Sequence, residues 1–417
     1  MFDSQLVQTS AINIAGFLLA LGTSVLIARA LGPAGLGAFQ LALQAGSVLS
    51  VIVLLGADHR ALKTKSNANA NLVCDNSYDE VMSAAIIRAV LFFLLSLPLL
   101  LVVISSKACA QENLLLLVGI VSFYVPLQTF LELSYARLKI EFRVFELGLL
   151  RDIGRPLLTG IAMLTILEFY PQASAGLVLL VVGLVVLILL FIALQKLASS
   201  NLTKFRFNLQ AAWTDATAEI WHLTIGALCY PLVLSILLAM LGQWSRFSDA
   251  GVFAVVCSLA SVSLVPLNMT NQTSIQIFSG FRGDPTSLKS TFAKLRNRTA
   301  LGGIPIALGL IMASQTLLLI WGSDFEAGAA TLSILSFIYA LSMLAGSAGN
   351  LLISQDSSFQ HFLGNLIFVG TALILGLILI PIYGLTGAGL ALGIAHLAQR
   401  SYWRFRISTY FEAETLV

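Results

Sequence analysis

The sequence predicts an all-α integral membrane protein with about twelve transmembrane helices, arranged as two sets of six. Three observations carry this. Hydrophobic residues make up 58% of the 417, charged residues only 10%, and the mean hydropathy is +0.92; soluble chains carry about 25% charge. Apolar stretches of about 20 residues, the length that crosses a bilayer, recur along the chain. The basic residues cluster in every second connection, as they do where Lys- and Arg-rich loops stay on one side of a membrane.

The first six spans fall at Ala11–Leu31, Leu36–Ala57, Ser83–Ser105, Leu114–Ala136, Leu149–Phe169 and Ala173–Leu194. The first two are joined by Ala28–Phe39, whose glycines and proline predict a tight turn. Ala28-Arg29-Ala30 imitates a signal-peptide cleavage site, but residues 1–10 hold no Lys or Arg, so the positive leader region is missing. The sixth span is almost uniformly Leu and Val and reads as lipid-facing. The second six fall at Ile220–Leu241, Val252–Thr270, Leu301–Trp321, Leu332–Ile353, Phe362–Ile380 and Leu385–Tyr402. The tenth carries Ala345-Gly346-Ser347-Ala348-Gly349 and the twelfth Gly387-Ala388-Gly389 with Gly393. Such small residues let helix backbones approach closely, and glycines also mark bends.

All but Arg29, Lys107 and Arg246 of the 23 Lys and Arg residues fall on one side of this arrangement. That side is read as cytoplasmic and holds both termini. The basic stretch after the sixth span divides the chain into an N-terminal lobe (1–198), a cytoplasmic linker (199–218), a C-terminal lobe (219–403) and a short cytoplasmic tail (404–417). Six is even, so a duplication would give parallel repeats. Gly37-Ala38-Phe39 placed over Gly251-Val252-Phe253 also brings Ser47-Val48 over Ser261-Val262.

A charge at the bilayer centre costs about 2.5–3.5 kcal/mol on insertion scales, so each one needs a reason. Arg29 lies near the outer end of the first span and Arg88 inside the third. Arg151, Asp152 and Arg155 share a face near the inner end of the fifth, by their i, i+3 and i+4 spacing. Gln128 and Glu132 share a face of the fourth, and Glu219 with His222 opens the seventh. His396 lies in the twelfth and belongs to the one residue type that titrates near neutral pH unperturbed. Two readings of the arginines stand side by side: snorkelling to the surface, or lining a hydrated cationic cavity.

Other chemistry is missing from the sequence. It holds no phosphate loop, HExxH, GxSxG elbow or dinucleotide fingerprint. Cys74, Cys109, Cys229 and Cys257 are scattered and form neither a disulfide framework nor a zinc pattern. We expect no metal, cofactor or nucleic-acid partner.

Three motifs carry a family resemblance. The first is Leu26-Ile27-Ala28-Arg29-Ala30-Leu31-Gly32-Pro33 followed by Gly35-Leu36-Gly37-Ala38-Phe39. The second is Leu319-Ile320-Trp321-Gly322-Ser323-Asp324-Phe325 with Ala327 and Ala330. The third is Asn365 with Ile380-Pro381-Ile382-Tyr383-Gly384-Leu385-Thr386-Gly387-Ala388-Gly389-Leu390-Ala391. In this order, across twelve spans, the chain resembles the bacterial Wzx-type polysaccharide flippases (O-antigen and exopolysaccharide) of the multidrug/oligosaccharidyl-lipid/polysaccharide (MOP) exporter superfamily. It departs at Ser354-Gln355-Asp356-Ser357, where such proteins usually show a glycine-containing turn.

The resemblance implies a MATE-like fold of two six-helix lobes around a cavity that opens alternately to each side, in the bacterial inner membrane. The implied cargo is an undecaprenyl-pyrophosphate-linked oligosaccharide, with a polysaccharide polymerase and a chain-length regulator as partners beside membrane lipid. The motifs do not fix the charged residues. By chemistry, Arg29, Arg88, Arg151 and Arg155 are the candidates to hold a diphosphate through the guanidinium fork. Glu132, Asp152 and His396 are the candidates for coupling to a proton. A MATE-like drug or cation antiporter would share the fold but should hold acids deep in its cavity, whereas these acids lie mostly at helix ends. A membrane-embedded polymerase or glycosyltransferase should carry a large external loop, and the external loops here are short.

Overall fold

The computed structural model describes residues 2–54, 86–92, 94, 123–140, 143–169, 174–198, 218–281, 284–355 and 357–414. Most of the third span, the start of the fourth, most of the linker, Cys74 and Cys109 lie outside them. Among the described residues the chain is helical throughout, without a strand. Six helical stretches among them are long and apolar enough to cross a membrane. The protein is a multi-pass membrane protein. Helix is the expected solution, because hydrocarbon offers no partner for an open backbone group.

The chain divides into two compact units, one of Met1–Leu31 with Ala38–Pro231, the other of Gly32–Gly37 with Leu232–Val417. In the first, α1 (Phe2–Leu54) is two helices meeting at Gly32, whose φ of 63° and ψ of 175° break the helical ladder. Only glycine takes that backbone without strain, and Pro33 restarts the helix where its missing N–H costs nothing. This is the tight turn the sequence predicts between spans one and two.

The first unit continues with α2 (Val125–Ile140), α3 (Val144–Gly148), a π-helical turn (Leu149–Gly154), α4 (Arg155–Phe169) and α5 (Ala175–Ala198). The sixth span, α5, is only half lipid-facing. Val178, Val182, Val185, Val186, Leu189 and Ala193 are buried against α2 and α4, while Leu180, Leu184, Ile188 and Phe191 are exposed. A uniform Leu/Val composition conceals this division, because lipid tails and a neighbouring helix are equally apolar partners.

The second unit opens on the second part of α6 (Ala218–Trp244). A turn at Ser245 and Arg246 leads into α7 (Phe247–Ala260), where the Ser245 hydroxyl bonds the Asp249 carboxylate. A 3₁₀ turn (Ser261–Leu264) and α8 (Val265–Ser279) complete the eighth span. At the start of α9 (Pro285–Met312), Asp284 accepts from the Ser287 N–H at 3.1 Å and Pro285 takes the first helical position. Hydrogen bonds from Ser287 and Thr286 hold the Asp284 carboxyl below the ordinary aspartate range.

The ninth and tenth spans are not single helices. The ninth breaks at Ala313, between α9 and α10 (Ser314–Leu319). After a 3₁₀ turn (Ser323–Gly328), the tenth begins as α11 (Ala329–Met343), breaks at Leu344–Ser347 around Gly346 (φ 61°), and ends as α12 (Ala348–Ser354). The last element, α13 (Ser358–Glu414), is again two helices, meeting at Gly384 with φ 52°. The glycines of its second part serve packing: a side chain on Gly389 would strike Thr331, and one on Gly393 would strike Ile338.

A close backbone approach in the second unit joins Gly37 and Gly251. A Cβ built on Gly37 falls 2.9 Å from the Gly251 nitrogen, and one built on Gly251 falls 3.0 Å from the Gly37 nitrogen. Each would also overlap the carbonyl one turn before the other glycine, at Phe247 and Pro33. Gly251→Ala should therefore cost roughly 1–3 kcal/mol by overpacking and lower the melting temperature of the purified protein in detergent by several degrees. Gly309→Ala, where a Cβ meets nothing within 4 Å, should be neutral or raise it.

Candidate functional site

Three elements of the first unit bring its polar side chains together. On α2, Gln128, Glu132 and Tyr135 recur at helical spacing on one face. Gln128 is buried, and its Nε2 donates to Glu132 Oε1 at 2.8 Å. Tyr135 is buried with no hydrogen-bond partner for its hydroxyl. Opposite, the π-helical turn carries Arg151 and Asp152, and α4 begins on Arg155, whose Nη2 donates to the Tyr124 hydroxyl at 2.8 Å. Arg155 lies within electrostatic range of Glu132 and Tyr135, and Arg151 and Asp152 also act on Tyr135.

The expected grouping of Arg151, Asp152 and Arg155 is present, but its local structure differs from a plain α-helix. The Arg155 N–H bonds the Leu150 carbonyl, five residues back. This widened turn leaves Arg151 exposed and Asp152 and Arg155 half-buried. Such single π turns recur at functional sites because they re-aim side chains without breaking the helix. Two contacts hold the turn. A Cβ on Gly16 would overlap the Asp152 backbone, so α1 lies directly on it, and Thr23 Oγ1 donates to the Pro156 carbonyl at 2.8 Å.

A salt-bridge clasp lies just before the turn. Arg143 reaches both oxygens of Glu146, at 2.8 and 2.7 Å, and Lys196 at the end of α5 approaches Glu146 Oε2 at 3.3 Å. Arg143 Nη1 also donates to the Lys196 carbonyl at 2.9 Å, which ties α3 to α5. The hydrogen bonds from Arg143, and then from Lys196, hold the Glu146 carboxyl below the ordinary glutamate range.

The other candidates sit elsewhere. Arg29 is exposed, three positions before the Gly32 break. Arg88 is half-buried and its Nη2 donates to the Leu54 carbonyl at 2.9 Å. His396 belongs to the second unit. It is buried between Tyr339 (ring centroids 5.1 Å apart) and Phe368 (6.2 Å), and its Nε2 has no hydrogen-bond partner. One turn on, Arg400 lies 5.2 Å over the Trp403 ring.

Sequence reasoning missed Tyr124 and Tyr135. It also missed a neutral polar strip in the second unit, where Gln399 donates to Asn365 at 2.7 Å and Trp403 Nε1 to the His361 carbonyl at 3.2 Å. The tyrosines had a legible signal, since Tyr135 continues the Gln128–Glu132 spacing. Among the described residues, no three metal-ligating side chains converge.

The family described as "Polysaccharide biosynthesis protein" matches residues 6–281. The chain belongs to this family. No curated protein matches it in sequence. Solved structures do match in fold. A lipid II flippase MurJ in an inward closed conformation is 15% identical, covers 96% of this chain and 87% of its own, and has a TM-score of 0.72. An inward-facing multidrug resistance MATE family transporter of the MOP superfamily is 13% identical, covers 98% of each chain and has a TM-score of 0.69. A MOP superfamily transporter from Pyrococcus furiosus, described as having a binding pocket of reverse polarity, is 12% identical, covers 98% and 95%, and scores 0.63. The chain thus has the MATE-like fold that the resemblance implies.

The Glu146 clasp gives a pH test. Its carboxyl titrates below the unfolded value of about 4.3, so its stabilisation is present above that pH and is lost as pH falls through the folded value. Glu146→Gln should therefore melt a little lower than the parent at pH 7, by up to about 1 kcal/mol for a partly exposed pair. The two melting curves should converge below about pH 4.

Proposed function

We propose that this chain is a flippase for surface-polysaccharide biosynthesis. In this reading it carries undecaprenyl-pyrophosphate-linked oligosaccharide repeat units from the cytoplasmic to the outer leaflet of the bacterial inner membrane by alternating access. It catalyses no covalent step. The observation that carries the reading is the cluster of Arg151, Asp152 and Arg155 on a π-helical turn facing Tyr124, Glu132 and Tyr135. The family match to polysaccharide biosynthesis proteins supports it, as does the fold shared with a protein titled a lipid II flippase.

The physics of the cargo suits this cluster. A diphosphate bears charge that hydrocarbon rejects, by up to tens of kcal/mol for an unpaired ion in the Born limit. Arginine offers two parallel N–H donors that match phosphate oxygens. Arg151, exposed, makes the first contact; Arg155, oriented by Tyr124, holds the group deeper. Arg88 adds positive charge at the cytoplasmic end of α1, and Arg29 lies along the exit. Glu132 and Asp152, beside the arginines, are the acids placed to exchange a proton as the cargo comes and goes, with His396 a third candidate in the other unit. An inward proton crossing 100 mV gains about 2.3 kcal/mol. The fold shared with a multidrug MATE transporter keeps an antiporter as the second reading.

Deletion of the gene, followed by leaflet-resolved analysis of lipid-linked sugars, tests the reading. Intermediates should accumulate on the cytoplasmic leaflet; unchanged intermediates would sink it. The double variant Arg151→Gln, Arg155→Gln should express normally and reproduce the deletion. Normal surface polysaccharide in that strain would remove these arginines from the mechanism.

A further inference from the structure

A second polar site lies in the second unit. The two parts of α13 meet again away from Gly384: Gln360, 24 residues before that glycine, accepts a hydrogen bond from Tyr402, 18 residues after it. At 1.5 Å per residue these positions lie roughly 27–36 Å from Gly384 along each part. The hydrocarbon core is about 30 Å thick, so two parts that each cross it from Gly384 bring this end to its edge. A cavity of about 300 Å³ opens there, lined by Leu351 and Leu352 of α12, by Gln355, Ser357 and Gln360, and by Arg406, Thr409 and Tyr410.

The lining has a definite chemistry. The two leucines are buried and form an apolar floor, whereas Ser357, Gln360, Arg406, Thr409 and Tyr410 are half-buried and can be reached from outside. Two phenols occupy the carboxamide oxygens: Tyr402 donates to Gln360 Oε1 at 2.6 Å and Tyr410 to Gln355 Oε1 at 3.3 Å. The Gln360 amide N–H₂ is thereby left as the donor of that side chain, whereas that of Gln355 already donates to the Ser354 hydroxyl at 3.4 Å. Arg406 supplies a cation, Ser357 and Thr409 supply hydroxyls, and no carboxylate lines the cavity among the described residues. Positive charge continues beside it, where Arg404 sits 5.2 Å over the Phe292 ring and within electrostatic range of Arg296.

The geometry points to a binding site for the headgroup of an anionic phospholipid: phosphate on Arg406, headgroup hydroxyls on Gln360 and Thr409, and the first acyl methylenes over Leu351 and Leu352. The volume is at the lower end of small-molecule sites. Basic pockets between helices at the membrane surface are where such headgroups are held, and Tyr402 and Tyr410 stand where aromatic side chains favour the interface. The cargo of the arginine cluster plays no part in this argument.

The test uses the full-length protein, delipidated in detergent. Its melting temperature is measured with added phosphatidylglycerol, phosphatidylcholine or glycerol phosphate, and bound lipid is counted by native mass spectrometry. Phosphatidylglycerol should raise the melting temperature by several degrees, and the other two should not. Arg406→Gln should weaken phosphatidylglycerol binding about tenfold, the weight of one hydrogen bond to a charged group. Lys289→Gln, which removes an exposed charge of the same sign outside the cavity, should leave binding intact. If Arg406→Gln folds poorly, Gln360→Glu places a repelling carboxylate in the same cavity and should have the same effect. Equal losses in Arg406→Gln and Lys289→Gln would overturn the site in favour of diffuse surface charge. Equal stabilisation by glycerol phosphate would overturn the lipid as its ligand, and no response to any of the three would overturn it altogether.

Discussion

The glycine-to-glycine crossing of Gly37 and Gly251 fastens the start of the second span to α7. Helices in a bilayer gain nothing from hiding leucine from lipid, so they associate where backbones can approach closely. Here each glycine leaves no room for a Cβ between itself and the other's backbone. The contact is reciprocal, with each glycine meeting the other's nitrogen and the carbonyl one turn before it. The Gly32 break delivers Gly37 to the crossing, so the turn and the contact depend on each other.

The polar content of the two units differs in kind. In the first, charge gathers on facing elements, with both signs within electrostatic range of Arg155 and Tyr135. The second holds chiefly neutral pairs, such as Gln399 with Asn365 and Asn350 with the Asn271 carbonyl and Ser274 hydroxyl, both at 2.8 Å. Neutral hydrogen bonds fasten helices without the desolvation penalty of buried ions. The charged cluster carries that penalty. The buried Tyr135 hydroxyl, with no partner of its own, fits the same contrast.

The sequence made the spans legible through length and apolar composition, and Gly32 and Gly384 through the glycines at the expected connections. The charges at Arg151, Asp152 and Arg155 were equally plain, because ionised groups are rare enough in apolar helices to be noticed one by one. The π-helical turn was not legible: it depends on α1 pressing Gly16 against Asp152, a contact between residues far apart in the chain. Nor was the divided character of α5, since leucine facing lipid and leucine facing α2 read alike. The packing of Arg400 over the Trp403 ring was not legible either. In each case the missing information was which face a helix turns to its neighbour.

The broken tenth span shows how a membrane protein tolerates irregular backbone. Between α11 and α12 the N–H groups of Leu344, Ala345 and Gly346 turn to the carbonyls of Leu341, Ser342 and Met343, three residues back, at 3.1, 3.1 and 2.9 Å. The ladder tightens before it stops, and few donors are left open in a medium that offers no replacement. Gly346 then takes a left-handed turn directly against the Arg296 side chain, at 3.0 Å from the position a Cβ would occupy. The new helix is fastened by Asn350 to α8, and by Gly349 lying on the Trp403 ring. The break in the tenth span is thus followed at once by specific polar and glycine contacts. The helical fragments consequently keep fixed places although the span that contains them is discontinuous.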